Sequence, residues 1–125
     1  MNFKTLVLGA SLKEDRYSNR AIKSLVKHDV ETVAFGLRKG IVAGVEIETE
    51  RVAFENLHSI TLYLNPKRQE EYYNYILSLK PKRVIFNPGT ENYEFMEILK
   101  ENKISYEVAC TLVMLSIGNY KEEIE

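Results

Sequence analysis

The sequence predicts an α/β fold in which a parallel sheet is covered by helices on both faces, a three-layer sandwich. Three observations lead there. Short apolar runs with β propensity recur at residues 6–8, 32–35, 59–64, 83–86 and 104–108. Stretches with helical spacing of apolar residues fall between most of them. Glycine, or asparagine followed by proline, ends four of the five runs, which is how strands usually stop. Strands alternating with helices imply right-handed crossovers, and hence a parallel sheet of about five strands buried on both sides.

The first strand, Leu6-Val7-Leu8, ends at Gly9. Ser18 or Asn19 can cap the helix that follows. Its apolar positions are Ala21, Ile22, Leu25 and Val26, and Lys23, Lys27 and His28 face out. The second strand, residues 32–35, stops at Gly36 and runs into the basic segment Leu37-Arg38-Lys39-Gly40. Residues 41–49 alternate only loosely and read as a loop with a short extended piece. The third strand, residues 59–64, ends at Asn65-Pro66. A helix over 67–79 follows, with Tyr72, Tyr73, Ile76, Leu77 and Leu79 on its apolar face, and Pro81 stops it. The fourth strand, residues 83–86, ends at Asn87-Pro88-Gly89. A helix over 91–100 carries Tyr93, Phe95, Met96 and Leu99. The last strand, residues 104–108, leads to a short closing helix over 111–117. The folded domain is expected over 1–118 and a polar tail over 119–125.

With 125 residues the chain fits one domain, and about two thirds of its unfolded surface can be buried. A net charge of -1 leaves no basic excess for a nucleic-acid partner. No apolar run approaches the ~18–20 residues that cross a bilayer, and no signal-peptide layout precedes the first strand. One cysteine, Cys110, excludes an internal disulfide and a cysteine-based zinc cluster. A cytoplasmic protein without a membrane partner is the expectation.

In a sheet of this kind ligands bind beyond the carboxyl ends of the strands, near the point where strand order reverses. Those ends deliver Gly9, Ala10 and Ser11, then Tyr17, Ser18 and Asn19; Gly36, Arg38 and Lys39; Asn65; Asn87, Pro88 and Gly89; and Cys110. Small, amide and cationic side chains gather there, and carboxylates do not. A strand feeding a helix through a small-residue loop presents N–H groups to a phosphate. The loop lacks the second and third glycines of G-x-G-x-x-G, because Ser11 and Glu14 stand at those positions. An NAD site places a carboxylate after the second strand, whereas Arg38 and Lys39 suit a phosphate on the ribose, as in NADP or coenzyme A. Arg38, nearer the strand end, can grip phosphate bidentately. Cys110 precedes a helix N-terminus, a position that favours a thiolate, but it also reads as a small packing residue. His28 and His58 read as surface residues. No nucleophile–base set and no metal-ligand spacing is present, so no catalytic and no metal residues are assigned. The tyrosines at 72, 73, 75 and 93 read as packing or interface residues, and the segment Tyr72 to Tyr75 is a candidate homodimer surface.

Gly9-Ala10-Ser11, Arg16-Tyr17-Ser18-Asn19, the second strand end with Gly44 downstream, Asn87-Pro88-Gly89 and the run Ala-Cys-Thr-Leu-Val-Met-Leu at 109–115 carry a resemblance. Together they resemble the small single-domain CoA-binding proteins, which are similar to the nucleotide-binding domain of succinyl-CoA synthetase α subunits. The resemblance runs from about residue 4 to 118. It implies a Rossmann-like fold and a small-molecule nucleotide ligand, coenzyme A or an acyl-CoA, with no defined reaction. The synthetases use a phosphohistidine in a second domain, and neither His28 nor His58 sits in such a context. Only the nucleotide-contacting turn residues carry over. Where the synthetases commonly have Pro and Lys after the Gly-Ala-Ser turn, this chain has Lys13-Glu14-Asp15. The alternative class is an enzyme, either an NADP-dependent oxidoreductase or a CoA-thioester catalyst using Cys110.

Overall fold

Strand β1 (Thr5–Ala10) occupies the middle of the sheet because its side chains are apolar on both faces. Leu6 and Leu8 point to one side and Val7 to the other, and all three are fully buried. The computed structural model describes residues 2–122. Among these, β1 pairs in parallel with β2 (Thr32–Gly36) and with β5 (Ser59–Leu62). β6 (Arg83–Phe86) and β7 (Ser105–Val108) extend the β5 side in parallel.

The α/β sandwich therefore stands as read, but the sheet has seven strands rather than five. The two extra strands lie in the stretch read as a loop. β3 (Gly40–Val42) and β4 (Val45–Glu48) form an antiparallel hairpin, and β4 pairs in parallel with β2. The order is β3-β4-β2-β1-β5-β6-β7.

Helix α1 (Tyr17–Lys27) and α5 (Thr111–Ile117) cover one face, packing Ile22, Leu25, Met114 and Leu115 against Val7 and Ile85. The other face is covered by α2 (Pro66–Gln69), a 3-10 turn (Glu70–Tyr72), α3 (Tyr73–Leu79) and α4 (Tyr93–Glu101). The helix expected over 67–79 is thus broken by a tighter turn. Pro66 at its first position suits the fixed φ of proline, and Asn65 caps it.

Three local expectations are corrected, and the reading of two tyrosines is narrowed to its packing alternative. The cap of α1 is Arg16, with no side-chain cap bond; Ser18 and Asn19 lie inside the first turn and are buried. Val26 and Tyr93 are exposed, because each falls on the outer side of its helix. Tyr72 and Tyr75 are buried against Phe35 and pack the core. The packed unit also continues past residue 118, since Tyr120 is only 1% exposed. Lys121 and Glu122 are exposed, and 123–125 of the expected tail lie outside the described residues.

Tyr120 closes a polar cluster beneath the amino ends of the strands. Thr5, Ser59 and Arg83 open β1, β5 and β6 in register. The Tyr120 hydroxyl lies 2.6 Å from Thr5 Oγ1, and Arg83 Nη1 donates to the Tyr120 carbonyl. Arg83 Nε donates to Ser59 Oγ at 2.8 Å, and the guanidinium stacks 4.5 Å from the Tyr120 ring centroid. His58 is part of this cluster, 2.7 Å from Ser59 Oγ and 3% exposed, so it is not the surface residue expected. Burial first, then the charges of Arg83 and Lys82, hold its pKa down at about 4, below the ordinary 6.5. The folded state therefore keeps His58 neutral where the unfolded chain protonates it. Stability from this residue is complete above about pH 6.5 and is lost as pH falls toward 4. Urea unfolding across that window is expected to show the loss, and His58→Gln is expected to flatten it.

Candidate functional site

Sheet order reverses at β1, whose crossover leads to β2 on one side while β5 lies on the other. A cleft of about 450 Å³ opens there, beyond the carboxyl ends of β1, β2, β5 and β6. This is the position where parallel sheets of this type hold ligands.

Two glycines allow the backbones to converge on it. Gly9 sits at a bulge in β1 with φ +97°, and a Cβ there would lie 2.9 Å from the Tyr63 carbonyl oxygen. At Gly36 a Cβ would lie 2.3 Å from the Ala10 carbonyl oxygen. The loop after β1 contributes Gly9, Ala10, Ser11, Leu12, Lys13 and Arg16 to the cleft, followed by Tyr17 and Ser18. Asn19 stands behind that loop. Its Nδ2 donates to the Ser11 carbonyl at 3.0 Å, fixing the turn against α1. Glu14 and Asp15 are exposed and outside the lining, and Glu14 pairs with Lys23 at 3.7 Å.

The end of β2 adds Phe35, Gly36, Leu37 and Arg38. Tyr63, Leu64, Asn65, Arg68 and Tyr72 line the wall after β5, and Pro88, Gly89 and Thr90 the wall after β6. Burial pushes the Tyr63 phenol well above its ordinary pKa, so it stays a protonated donor. Its hydroxyl is buried and has no hydrogen-bond partner among the described residues. Lys13, Arg16, Arg38 and Arg68 give the lining four cations and no carboxylate opposes them.

Of the residues singled out from the sequence, Gly9, Ala10, Ser11, Tyr17, Ser18, Gly36, Arg38, Asn65, Pro88 and Gly89 line this cleft. Asn19, Lys39, Asn87 and Cys110 do not. Lys39 is exposed on the turn beyond the cleft. Cys110 is half-buried at the start of α5. Asn87 is buried and works as a strap. Its Nδ2 donates to Thr61 Oγ1 and to the Leu62 carbonyl, and its Oδ1 accepts the Thr111 N–H at 2.9 Å. Lys13, Arg16 and Arg68 escaped the strand-end reading because they lie three to six residues past the strands, in segments read as turn or helix. For Arg68 the signal was present in Asn65-Pro66, a capped helix start that turns its first residues toward the sheet edge.

The fold is a Rossmann-like α/β sandwich with a cleft at its switch point. The model of the CoA binding domain family matches residues 4–116, and the chain belongs to that family. No curated protein is a significant match to it. Among solved structures, one described only as an uncharacterized protein is 52% identical, with a TM-score of 0.92 over 96% of this chain and 99% of that one. A hypothetical protein from Pyrococcus horikoshii OT3 is 23% identical, with a TM-score of 0.82, covering 93% of this chain and 83% of its own. A Thermus thermophilus protein, cell-free ID.343, is 19% identical with a TM-score of 0.83, covering 95% and 91%. The last two share the fold. No helix among the described residues is long and apolar enough to cross a membrane.

Proposed function

We infer that the chain is a binding module for coenzyme A or an acyl-CoA. The observation that carries the reading is a cleft at the switch point lined by four cations and no carboxylate, in a chain of the CoA binding domain family. Coenzyme A carries a pyrophosphate and a ribose phosphate, so its charge matches that lining. Gly9, Ala10 and Ser11 let the pyrophosphate approach the backbone, and Ser18 and the amino end of α1 supply donors to it. Lys13 and Arg16 flank the same loop. Arg38 meets the ribose phosphate. Asn19 acts from behind by holding Ser11, and Asn65, Pro88 and Gly89 form the opposite wall.

Calorimetric titration with coenzyme A tests this. Binding with 1:1 stoichiometry is expected, and saturation at about 100 times Kd raises the unfolding free energy by about 2.7 kcal/mol. Arg38→Ala is expected to weaken binding about tenfold or more, the usual scale for a charge-assisted contact. No heat and no change in melting temperature at saturating ligand would sink the reading. The same titration with NADP separates the alternative cofactor, since a tighter fit to NADP would move the site to the oxidoreductase class.

A further inference from the structure

Arg68 is a cation of the cleft that the roles above leave unassigned. The segment carrying it is held on both sides. Asn65 Oδ1 accepts the Arg68 N–H at 2.9 Å. The next residue, Gln69, is fully buried, and its Nε2 donates to the Leu64 and Thr90 carbonyls, each at 2.8 Å. Asn92 Nδ2 in turn donates to Gln69 Oε1 at 3.0 Å. The backbone at Arg68 is thereby pinned to the loops after β5 and β6. Its side chain is exposed and joins none of the ion pairs among the described residues.

A ring contact locates Arg68 relative to Arg38. Tyr72, one helical turn after Arg68, meets Phe35 edge-on with centroids 5.5 Å apart. Phe35 precedes Arg38 by three residues on β2 and its exit. The helical segment starts at the carboxyl edge of the sheet and runs away from it, so Arg68 lies nearer that edge than Tyr72. Arg38 likewise lies nearer that edge than Phe35. Arg38 and Arg68 thus lie on two segments that the Phe35–Tyr72 contact joins, and both line the cleft.

We propose that Arg38 and Arg68 form a two-armed clamp for the phosphate monoester on the ligand's ribose, and that Arg68 determines specificity for it. The clamp rests on the coenzyme A reading. A monoester carries about -1.5 to -2 charges at pH 7 and three acceptor oxygens, enough for two guanidinium groups, whereas one arginine leaves part of that charge unmatched. Each phosphorus of a pyrophosphate bridge carries a single charge. The clamp therefore discriminates coenzyme A from dephospho-CoA, which differs only by the monoester.

The test is calorimetry of the full chain with coenzyme A and with dephospho-CoA, for the wild type, Arg68→Ala, Arg38→Ala and the double variant. The wild type is expected to prefer coenzyme A. Arg68→Ala is expected to cut that preference about tenfold or more while leaving the Kd for dephospho-CoA within about twofold. The double variant is expected to abolish the preference. Equal weakening of both ligands by Arg68→Ala, or a preference that does not change, overturns the clamp and leaves the coenzyme A reading intact. A wild type that binds neither ligand overturns both.

Discussion

Gly36→Ala is expected to lower the unfolding free energy by about 3 kcal/mol or more, at the upper end of what overpacking costs. The added Cβ would stand 2.3 Å from the Ala10 carbonyl oxygen and 3.1 Å from Ile47 Cγ2. The first contact is with backbone of the central strand, paired to Gly36 in the sheet, so no side chain can swing away to relieve it. β1 and β2 would have to part at the edge that opens into the cleft. Urea unfolding of the variant measures the effect. A loss under about 1 kcal/mol would mean that the two strands separate cheaply and that the close approach at Gly36 does not hold them together.

Asn87→Ala is expected to cost about 3 kcal/mol, near the upper value for a buried polar group left without a partner. The substitution removes both donations from Nδ2 and orphans the buried Thr111 N–H. Thr61 Oγ1 keeps its contact with Thr111 Oγ1 at 2.8 Å, so the loss falls on the Leu62 carbonyl and the Thr111 amide. A fall in melting temperature of roughly 10 °C is expected for a chain of this size. Asn87→Asp is expected to recover part of it, because a carboxylate still accepts the Thr111 N–H while donating nothing. If the alanine and aspartate variants melt with the wild type, Asn87 is not the strap described.

The layered architecture was legible because its signal is global. Apolar runs such as Leu6-Val7-Leu8 and Val84-Ile85-Phe86 have no polar side, and only a sheet covered twice accepts them. The β3–β4 hairpin was hidden by its turn. Ala43 and Gly44 both take positive φ, at 49° and 81°, in a two-residue connection. That geometry is normally announced by Asn-Gly or Asp-Gly, and alanine at its first position carries no such signal. Short strands with only Val42 and Ile47 buried add little periodicity.

The lining of the cleft was legible where it sits on strand ends and less so where it depends on helices. Gly9 and Gly36 mark places where chains meet, and both readings follow from glycine alone. Asn87 looked like a turn residue because Asn-Pro-Gly is turn chemistry, while its three buried bonds come from β5 and α5, remote in sequence. His58 and Tyr120 were misplaced for a similar reason. Tyr120 stands between polar Asn119 and Lys121, and His58 in the loop before β5, whereas in space His58 packs on Phe3 and Tyr120 on Arg83, both remote in sequence.

The bond between Thr5 and Tyr120 joins residues 115 positions apart, and it lies at the end of the strands opposite the cleft. A contact of that span closes a very long loop, so it gains little until the strands between are already in place. The molecule thus has a seam at one pole and a mouth at the other. Alterations to the seam at Thr5, Arg83 or Tyr120 tune how firmly the chain stays shut without redrawing the surface that meets a ligand. At this pole, unlike at Gly36, durability can be changed apart from recognition.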